Sequence, residues 1–437
     1  MSLIRRIKIK VITSSSKWLV KLSLLINYPR LTAWAFVLGH KKVGLKGDYK
    51  VLCVGRSIFI DDVKAMTIFS GRISYIVIHK SYYSIVFEHF CDKAERAKLT
   101  SVNYYTDDYC KEAKFKYKDY LGRMVPILKK ILGFDAILSG NINYIEQQEL
   151  AQVCHEQKIP FCVLHKEAIV VEDTYRKFVN NYKTCRFTGD KLMFYNSQCL
   201  EGMLGINLQG LTRAKAVLTG IPRFDYYFLK KDDELRTKKQ IVLFSFLPRY
   251  SFRYITQDEQ RLKKIEEISY SFIKSFMDFA LKHKDIKVII KTKAADYYLQ
   301  YPQKIFEENF QEKISNLEIV NFGDPSELIK NSIAVAGFNS TTLIEALICD
   351  KLIIAPDFGE IVTDSPWDFF HRHQSLVNYS RSLGDLEKYV SQPGQYSNYQ
   401  TEVKNDFLEK FISTTKGEAS HKAETAIIQT IEDFKNN

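Results

Sequence analysis

Small and hydroxyl side chains separate an apolar run from a helical pattern in VAGFNSTTLIEAL, residues 335–347. Asn339, Ser340 or Thr341 is a favoured cap for a helix beginning near Thr342. A cap needs only one such residue, whereas three consecutive hydroxyls stand here. The free amides and partial positive charge of a helix start also bind phosphate. The stretch predicts either a plain cap or an anion site, and we expect the anion site.

Basic side chains follow two other apolar runs in this half of the chain. Lys291 and Lys293 stand two residues apart in IIKTK, on the same side of a strand end, and Arg249 and Arg253 follow an earlier run. Exposed cations are common, but Arg can also grip phosphate with a bidentate fork. No Asp-x-Asp spacing occurs in the sequence. If Arg249 and Lys291 converge on the helix start, we expect them to neutralise a nucleotide diphosphate without metal.

Three further polar residues are candidates for the reaction itself. His165 and Glu167 end another apolar run, in VLHKEA. Either is a possible base or orienting group for an acceptor hydroxyl, and a structural histidine with a surface acid is the alternative. Glu345 lies one turn into the helix after Thr342. It is placed either to bind a ribose or sugar hydroxyl or simply to face solvent.

Cysteine and histidine spacing gives no metal motif. The eight cysteines are scattered singly without a CxxC pair, which disfavours both zinc and a disulfide scaffold and fits a reducing cytoplasm. His371 and His373 are spaced by two, without nearby residues of ligand type. The GxGxxG, GxxxxGK[ST] and GxSxG motifs are also absent. We therefore predict no metal and no cofactor, and neither P-loop nor α/β-hydrolase chemistry.

The positive charge is concentrated at one end of the chain. Of the net +12, residues 1–50 carry eleven Lys and Arg against one acid, Asp48. A solvated helix packed on its own domain is one interpretation, and attachment to an anionic membrane face through the WLVKLSLLI patch at 18–26 is the other. Nucleic acid is disfavoured because the remaining chain has no basic stripe. The sequence contains no run of 18 uncharged apolar residues, so no membrane-spanning helix is predicted.

Apolar runs alternating with helical patterns position these residues. With 437 residues and 46% hydrophobic content, the chain is expected to form two α/β domains with parallel strands, facing a cleft. We predict four parts: a basic amphipathic segment at 1–45, a first Rossmann-like domain at 46–215, a second at 216–395 and a helical tail at 396–437. Ligands of such sheets bind at the carboxyl ends of strands, where all the candidates above lie.

AVLTGIPRFD, followed by VAGFNSTTLIEALICDKLIIAPDFGE, resembles the C-terminal half of GT-B glycosyltransferases. The chain is most similar to bacterial surface-polysaccharide and capsule transferases and to CDP-glycerol glycerophosphotransferases. The resemblance implies two Rossmann-like domains, a last helix that returns to the first domain, and work at the inner membrane face. It also implies that Ser340, Thr341 and Thr342 bind donor phosphates and that Glu345 binds a hydroxyl. Thr-Lys-Ala follows Lys291 where the glycerophosphotransferases often have His-Pro, which departs from that subfamily.

Together these features predict a cytoplasmic, peripherally membrane-bound, metal-independent glycosyltransferase. Its partners are a nucleotide-sugar donor, a surface-glycan or lipid-linked acceptor and an anionic membrane surface. The alternatives are a UDP-sugar 2-epimerase of the same fold, a CDP-glycerol-type glycerophosphotransferase and a non-catalytic scaffold with the same shape.

Overall fold

The computed structural model describes residues 3–44, 47–55, 59–167, 169–171, 174–229, 239–253, 256–359 and 369–436, and leaves the side chains of residues 3–11 and 250 undescribed. The chain divides into two compact units. The first comprises Met1–Ile169, Arg176–Asp225 and Lys410–Asn437, and the second comprises Val170–Tyr175 and Tyr226–Glu409. Residues 56–58, 230–238 and 360–368 lie outside the described residues.

The first unit is built on a seven-stranded sheet. Its strands are β1 (Lys41–Val43), β2 (Tyr49–Gly55), β3 (Ile73–His79), β4 (Ala136–Ser139), β5 (Phe161–His165), β6 (Lys191–Phe194) and β7 (Ala216–Leu218). Their order is β1-β3-β2-β4-β5-β6-β7, parallel except for β1. The central strands are apolar and buried along most of their length, as expected of a parallel sheet covered on both faces.

Helices before, between and after these strands complete the first unit. They are α1 (Leu3–Leu25), α2 (Pro29–Gly39), α3 (Phe59–Phe69), α4 (Ser81–Phe90), α5 (Lys93–Lys98), α6 (Lys111–Leu132), α7 (Gln148–Glu156), α8 (Tyr175–Asn180), α9 (Ser197–Gly205) and, from the far end of the chain, α19 (Ala419–Asn436). The buried Glu424 of α19 accepts hydrogen bonds from the Tyr75 hydroxyl at 2.8 Å and from the Arg72 amide at 2.9 Å. The last helix therefore belongs to the first unit.

The second unit has a six-stranded, all-parallel sheet. Its strands are β8 (Gln240–Phe244), β9 (Lys287–Lys291), β10 (Leu317–Val320), β11 (Ala334–Gly337), β12 (Leu352–Pro356) and β13 (Asn378–Ser380). Its helices are α10 (Asp225–Phe228), α11 (Pro248–Phe252), α12 (Glu259–Lys282), α13 (Gln300–Asn309), α14 (Pro325–Asn331), α15 (Thr341–Ile348), α16 (Leu383–Ser391), α17 (Pro393–Tyr396) and α18 (Thr401–Ile412). The strand order β10-β9-β8-β11-β12-β13 reverses direction between β8 and β11.

The units divide the chain at a different point from the predicted domains. Residues 216–225 were assigned to the second domain, but β7 pairs with β6 and continues the first sheet. The tail, expected as one helical stretch over 403–434, is two helices, because Ser413 adopts a left-handed backbone (φ 54°) after α18. The described chain also joins Cys91 to Cys110 in a disulfide, which the scattered cysteine spacing does not predict.

Candidate functional site

The reversal of strand order in the second sheet brings three strand ends together. Gly337 at the end of β11 pairs with Phe244 of β8, which pairs in turn with Lys291 of β9. Neighbouring strands lie about 4.8 Å apart, so Gly337 and Lys291 are separated by about 10 Å across the carboxyl edge. A reversal of this kind leaves a crevice between the two helices that follow the strands, where open α/β sheets bind ligands. Helix α15 begins four residues after Gly337.

The start of α15 carries the hydroxyl cluster predicted from the sequence. Ser340 is the N-cap, with an extended backbone, and its Oγ accepts a hydrogen bond from the Thr342 amide at 3.3 Å. The Thr342 hydroxyl lies 2.9 Å from the same Ser340 oxygen. The side-chain oxygen Oδ1 of Asn339 is buried and has no donor within the described part of the chain. The helix start therefore combines a cap with an unused polar atom.

Lys291 is a buried cation at this edge. Its Nζ donates to the carbonyl oxygens of Thr292 at 2.5 Å and Asn321 at 3.3 Å. Burial lowers the pKa of Lys291, and none of the carboxylates that the structure describes forms an ion pair with it. Lys293, two residues on, is exposed. An anion that reached Lys291 would supply the missing countercharge.

Arg249 does not present a free guanidinium in this structure. It lies exposed on α11 and pairs with Glu259 and, at 3.4 Å, with Glu266, both from α12. Arg253 also approaches Glu259, at 3.9 Å. A phosphate would have to displace these carboxylates to bind Arg249. Lys291 and the start of α15 are therefore better prepared for an anion than Arg249 is.

Glu345 is a buried residue of α15, one turn after the helix begins. Its Oε2 accepts a hydrogen bond from the Tyr227 hydroxyl at 2.7 Å. Burial, and to a smaller extent the negative charge of Glu345, raises the pKa of Tyr227 above its ordinary range. Tyr227 was not singled out from the sequence, because 118 residues separate it from Glu345. The only sequence signal for Tyr227 is its position among the aromatic residues that end the stretch AVLTGIPRFDYY. The contact ties one Glu345 oxygen to the protein.

In the first unit, His165 and Glu167 have opposite environments. His165 is fully buried at the end of β5, its ring packs edge-on against Tyr182 and Phe194, and neither nitrogen has a partner within the described residues. Burial, and then the Lys166 charge, lowers its pKa to about 3. Glu167 is exposed and lies 3.5 Å from the Lys166 Nζ. Only Glu167 of the two can meet a ligand without rearrangement.

A buried ion pair that sequence reasoning missed lies at the carboxyl edge of the first sheet. Lys80, after β3, contacts the Glu146 carboxylate at 2.7 Å and lies 4.8 Å from the centre of the Tyr144 ring. Glu146 is almost fully buried, and the pair therefore fixes the segment after β4 against the end of β3. A lone lysine and a lone glutamate 66 residues apart give no sequence signal for this contact.

The IPRFD stretch has a structural role in the first unit. The buried Asp62 carboxylate accepts from the Tyr195 hydroxyl at 2.8 Å and from the backbone amide and guanidinium of Arg223 at 3.2 Å. Asp225 accepts from the amides of Ala419 and Ser420, at 3.1 and 2.7 Å, and so holds the start of α19. These carboxylates are occupied by the fold.

One group of described residues has ligand atoms close enough together for a metal ion: Cys91, Glu95 and Cys110. The two thiols are joined in a disulfide in this structure, so they are not free to ligate. Glu95 is used by the backbone, since one of its oxygens accepts from the Cys110 amide at 3.2 Å. This cluster lies apart from the strand ends described above.

No family model and no curated protein matches the chain. Among solved structures, one from Listeria monocytogenes, assigned by name to the UDP-N-acetylglucosamine 2-epimerases, has a TM-score of 0.51 at 10% identity, covering 88% of this chain and 97% of its own. UDP-GlcNAc 2-epimerase from Neisseria meningitidis, bound to UDP-GlcNAc, has a TM-score of 0.49 at 12% identity, covering 87% and 100%. Trehalose-6-phosphate synthase has a TM-score of 0.45 at 10% identity, covering 88% and 99%.

The first of these similarities shows that the chain has the GT-B fold. Two parallel-sheet α/β units, with the last helix packed in the first unit, confirm the predicted fold class. At 10% identity the similarity defines the architecture and not the reaction.

Proposed function

We propose that this chain is a metal-independent glycosyltransferase that moves a sugar from a nucleotide-sugar to a surface-glycan or lipid-linked acceptor. The observation that carries the proposal is the strand reversal between β8 and β11, where the start of α15 and the buried, carboxylate-free Lys291 share one edge of the second sheet. Backbone amides, three hydroxyls and a desolvated cation at one place suit a diphosphate.

The donor would bind with its phosphates at the start of α15. When the bond between the anomeric carbon and the phosphate oxygen breaks, negative charge develops on the departing nucleotide diphosphate. Ser340, Thr341, Thr342 and the amides of the first turn would stabilise that charge, and Lys291 would neutralise it. Because the charge is greater in the transition state than in the bound donor, these contacts accelerate the reaction. Arg249 would join them after exchanging its glutamate partners for phosphate.

The acceptor hydroxyl forms the new bond to the anomeric carbon and loses its proton. In an inverting reaction Glu167 would take that proton, because its carboxylate is exposed whereas His165 is enclosed. His165 would then shape the end of β5 without meeting the substrate. In a retaining reaction the departing phosphate could receive the proton, and Glu167 would only orient the acceptor. Glu345, which accepts a hydrogen bond from Tyr227, would contact a donor hydroxyl.

The test is incubation of the full chain with a panel of nucleotide-sugars, with and without bacterial membranes as acceptor source. UDP-N-acetylhexosamines come first in the panel, because one of the fold neighbours is assigned by name to enzymes of UDP-N-acetylglucosamine. We expect nucleoside diphosphate to be released only when acceptor is present. Release must fall with Lys291→Met and persist with Lys293→Met, since Lys293 is exposed.

Other products would contradict the proposal in specific ways. Conversion of free nucleotide-sugar to its 2-epimer without acceptor would identify an epimerase of the same fold. Release of CMP from CDP-glycerol would identify a glycerophosphotransferase. Failure to bind any nucleotide, measured calorimetrically, would indicate a scaffold that keeps only the fold.

A further inference from the structure

Helices α1 and α2 pack on the first unit through hydroxyl groups. The Ser16 hydroxyl lies 2.5 Å from the Tyr82 hydroxyl of α4. Ser23 of α1 lies 2.6 Å from Thr32 of α2, whose hydroxyl lies 2.5 Å from that of Tyr120 on α6. All these contacts are buried. The inward faces of both helices are thus held by a chain of polar contacts together with small and apolar residues such as Ala33 and Phe36.

The outward faces of the same two helices carry large apolar side chains. Trp18 is 62% exposed, Leu25 is 76% exposed and Trp34 is 49% exposed. Further exposed apolar residues lie on α1, on α2 and in the turn between them: Ile12, Ile26, Tyr28 and Leu38. We call these seven residues the hairpin face. Isolated exposed apolar residues are normal, but a group this dense along residues 12–38 marks an interaction surface.

The polar contacts prevent the helices from burying this face. Trp18 and Leu25 can turn inward only if Ser16 and Ser23 turn outward. The buried hydroxyls of Tyr82 and Thr32 would then lose their contacts with Ser16 and Ser23, and losing a buried hydrogen-bond partner is costly. The orientation with the apolar residues outside is therefore fixed by the fold. Both helices therefore carry apolar side chains on the outward face as well as on the inward one, whereas a surface helix of a water-exposed domain usually has a polar outward face.

The charge around the hairpin face indicates what covers it. Lys21 is exposed and stands three residues after Trp18 and four before Leu25, on the same stripe of α1. Arg30, Lys41 and Lys42 are also exposed, and residues 1–50 hold eleven basic residues against one acid. A partner must therefore be apolar within and anionic at its surface. Tryptophan and lysine side by side suit the headgroup region of a bilayer, where rings lie at the interface and the ammonium reaches the phosphates.

We propose that the hairpin face docks the protein on an anionic lipid bilayer, with α1 and α2 lying in the interface. No helix within the described residues is long and apolar enough to cross a bilayer, so the contact is peripheral. Apolar burial and electrostatic attraction act together in such binding. The inference does not depend on the proposed function, because it concerns a surface that requires no sugar or nucleotide.

The experiment is flotation of the full chain with vesicles of phosphatidylcholine alone or with added phosphatidylglycerol, without nucleotide or glycan. We expect flotation with the anionic vesicles, weakened by salt. The paired substitution Trp18→Ala and Trp34→Ala should reduce the partition coefficient about tenfold or more, because two exposed rings no longer enter the interface. The tryptophan fluorescence of the unmodified protein should shift to shorter wavelength when anionic vesicles are added. Trp18 and Trp34 are two of its three tryptophans, and both would enter the interface.

The matched control is Ile68→Ala with Leu281→Ala. Ile68 is 63% exposed and Leu281 is 48% exposed, which matches the exposure of the two tryptophans, but they lie on α3 and α12 and are not part of the hairpin face. The control should float like the unmodified chain. Flotation of the tryptophan variant at the unmodified level, or absence of flotation of the unmodified chain, would overturn the proposal. The proposal would also be overturned if the unmodified chain formed a dimer in solution and did not bind vesicles, and if the tryptophan variant did not form that dimer.

Discussion

At the strand reversal of the first sheet, between β2 and β4, the Phe59 ring lies against both Gly55 and Gly140. A Cβ on Gly55 would stand 2.6 Å from that ring, and one on Gly140 would stand 3.0 Å from it. At the reversal of the second sheet, between β8 and β11, a Cβ on Gly337 would have only ordinary contacts, at 3.4 Å from Leu343 and 3.5 Å from the Phe244 oxygen. One crevice is filled by a side chain, whereas the other ends in a helix start beside a buried lysine.

The difference teaches that the same strand plan serves two purposes. Around the first crevice the charged groups are satisfied internally, as Asp62 is by Arg223 and Tyr195, and Glu146 is by Lys80. In the second, Lys291 has only carbonyl partners among the described residues. Substitutions at the first crevice should therefore change stability, and those at the second should change catalysis.

The largest effect is expected from Asp62→Ala. Removing this fully buried carboxylate takes an acceptor from Arg223 and from the Tyr195 hydroxyl, and breaking a buried pair in this way costs about 3–5 kcal/mol. The adjacent Asp61→Ala is the control, because Asp61 forms only an exposed pair with Lys64 and should change stability by less than about 1 kcal/mol. Urea denaturation measures both. Equal losses would contradict the structural role of the Asp62 network.

The next effect is expected from Lys291→Met. If Lys291 stabilises the departing diphosphate, kcat/KM should fall about 100-fold, equivalent to about 2.7 kcal/mol. The kcat/KM of the Lys293→Met variant should fall by much less, because the Lys293 side chain is exposed. Donor turnover by both variants, with urea curves to show that each remains folded, makes the comparison. A stable Lys291→Met variant with full activity would remove the second crevice as the donor site.

His165→Leu should change the pH dependence of stability. The pKa of His165 is about 3 in the folded chain against an ordinary 6.5, so between these values the unfolded chain binds the additional proton. Stability is then lost as the pH falls through this window, by about 2 kcal/mol between pH 7 and pH 5. The leucine variant should lack this loss in urea titrations at the two pH values. Parallel curves for both proteins would show that His165 is not enclosed as described.

The smallest effect separates the two glycines. Gly55→Ala should cost about 1–3 kcal/mol, since the buried Phe59 ring must move to admit a methyl group. Gly337→Ala should cost less than about 1 kcal/mol, because its neighbours already allow that contact. Thermal unfolding of the two variants tests this. A larger loss for Gly337→Ala would reverse the assignment of the filled and the open crevice.

Much of the fold could be predicted because buried parallel strands have short apolar sequences, such as YKVLCVG for β2 and QIVLF for β8. The short edge strands β1 and β13 lack such runs, and only their neighbours define them. Residues 216–218 look like any other strand, and pairing with β6 alone decides that they belong to the first sheet.

The candidate site was predictable where its chemistry is local. The cap and hydroxyls at Ser340 follow from residue type and spacing. The burial of His165 does not, because Tyr182 and Phe194 reach it from other elements. The Tyr227–Glu345 contact and the carboxylate partners of Arg249 likewise arise from packing between distant segments.

The hold of Asp225 on the start of α19 has a consequence for how the protein is made. The first unit is not complete when its strands have been synthesised, because α19, which Asp225 holds, follows the second unit in the chain. At about 5–20 residues per second, synthesis of the second unit takes about 10–40 seconds, and the first unit lacks α19 for at least that time. During this interval the surface that later receives Ile427 and Ile431 is exposed. The second unit is thus inserted between the strands of the first unit and the helix that completes it.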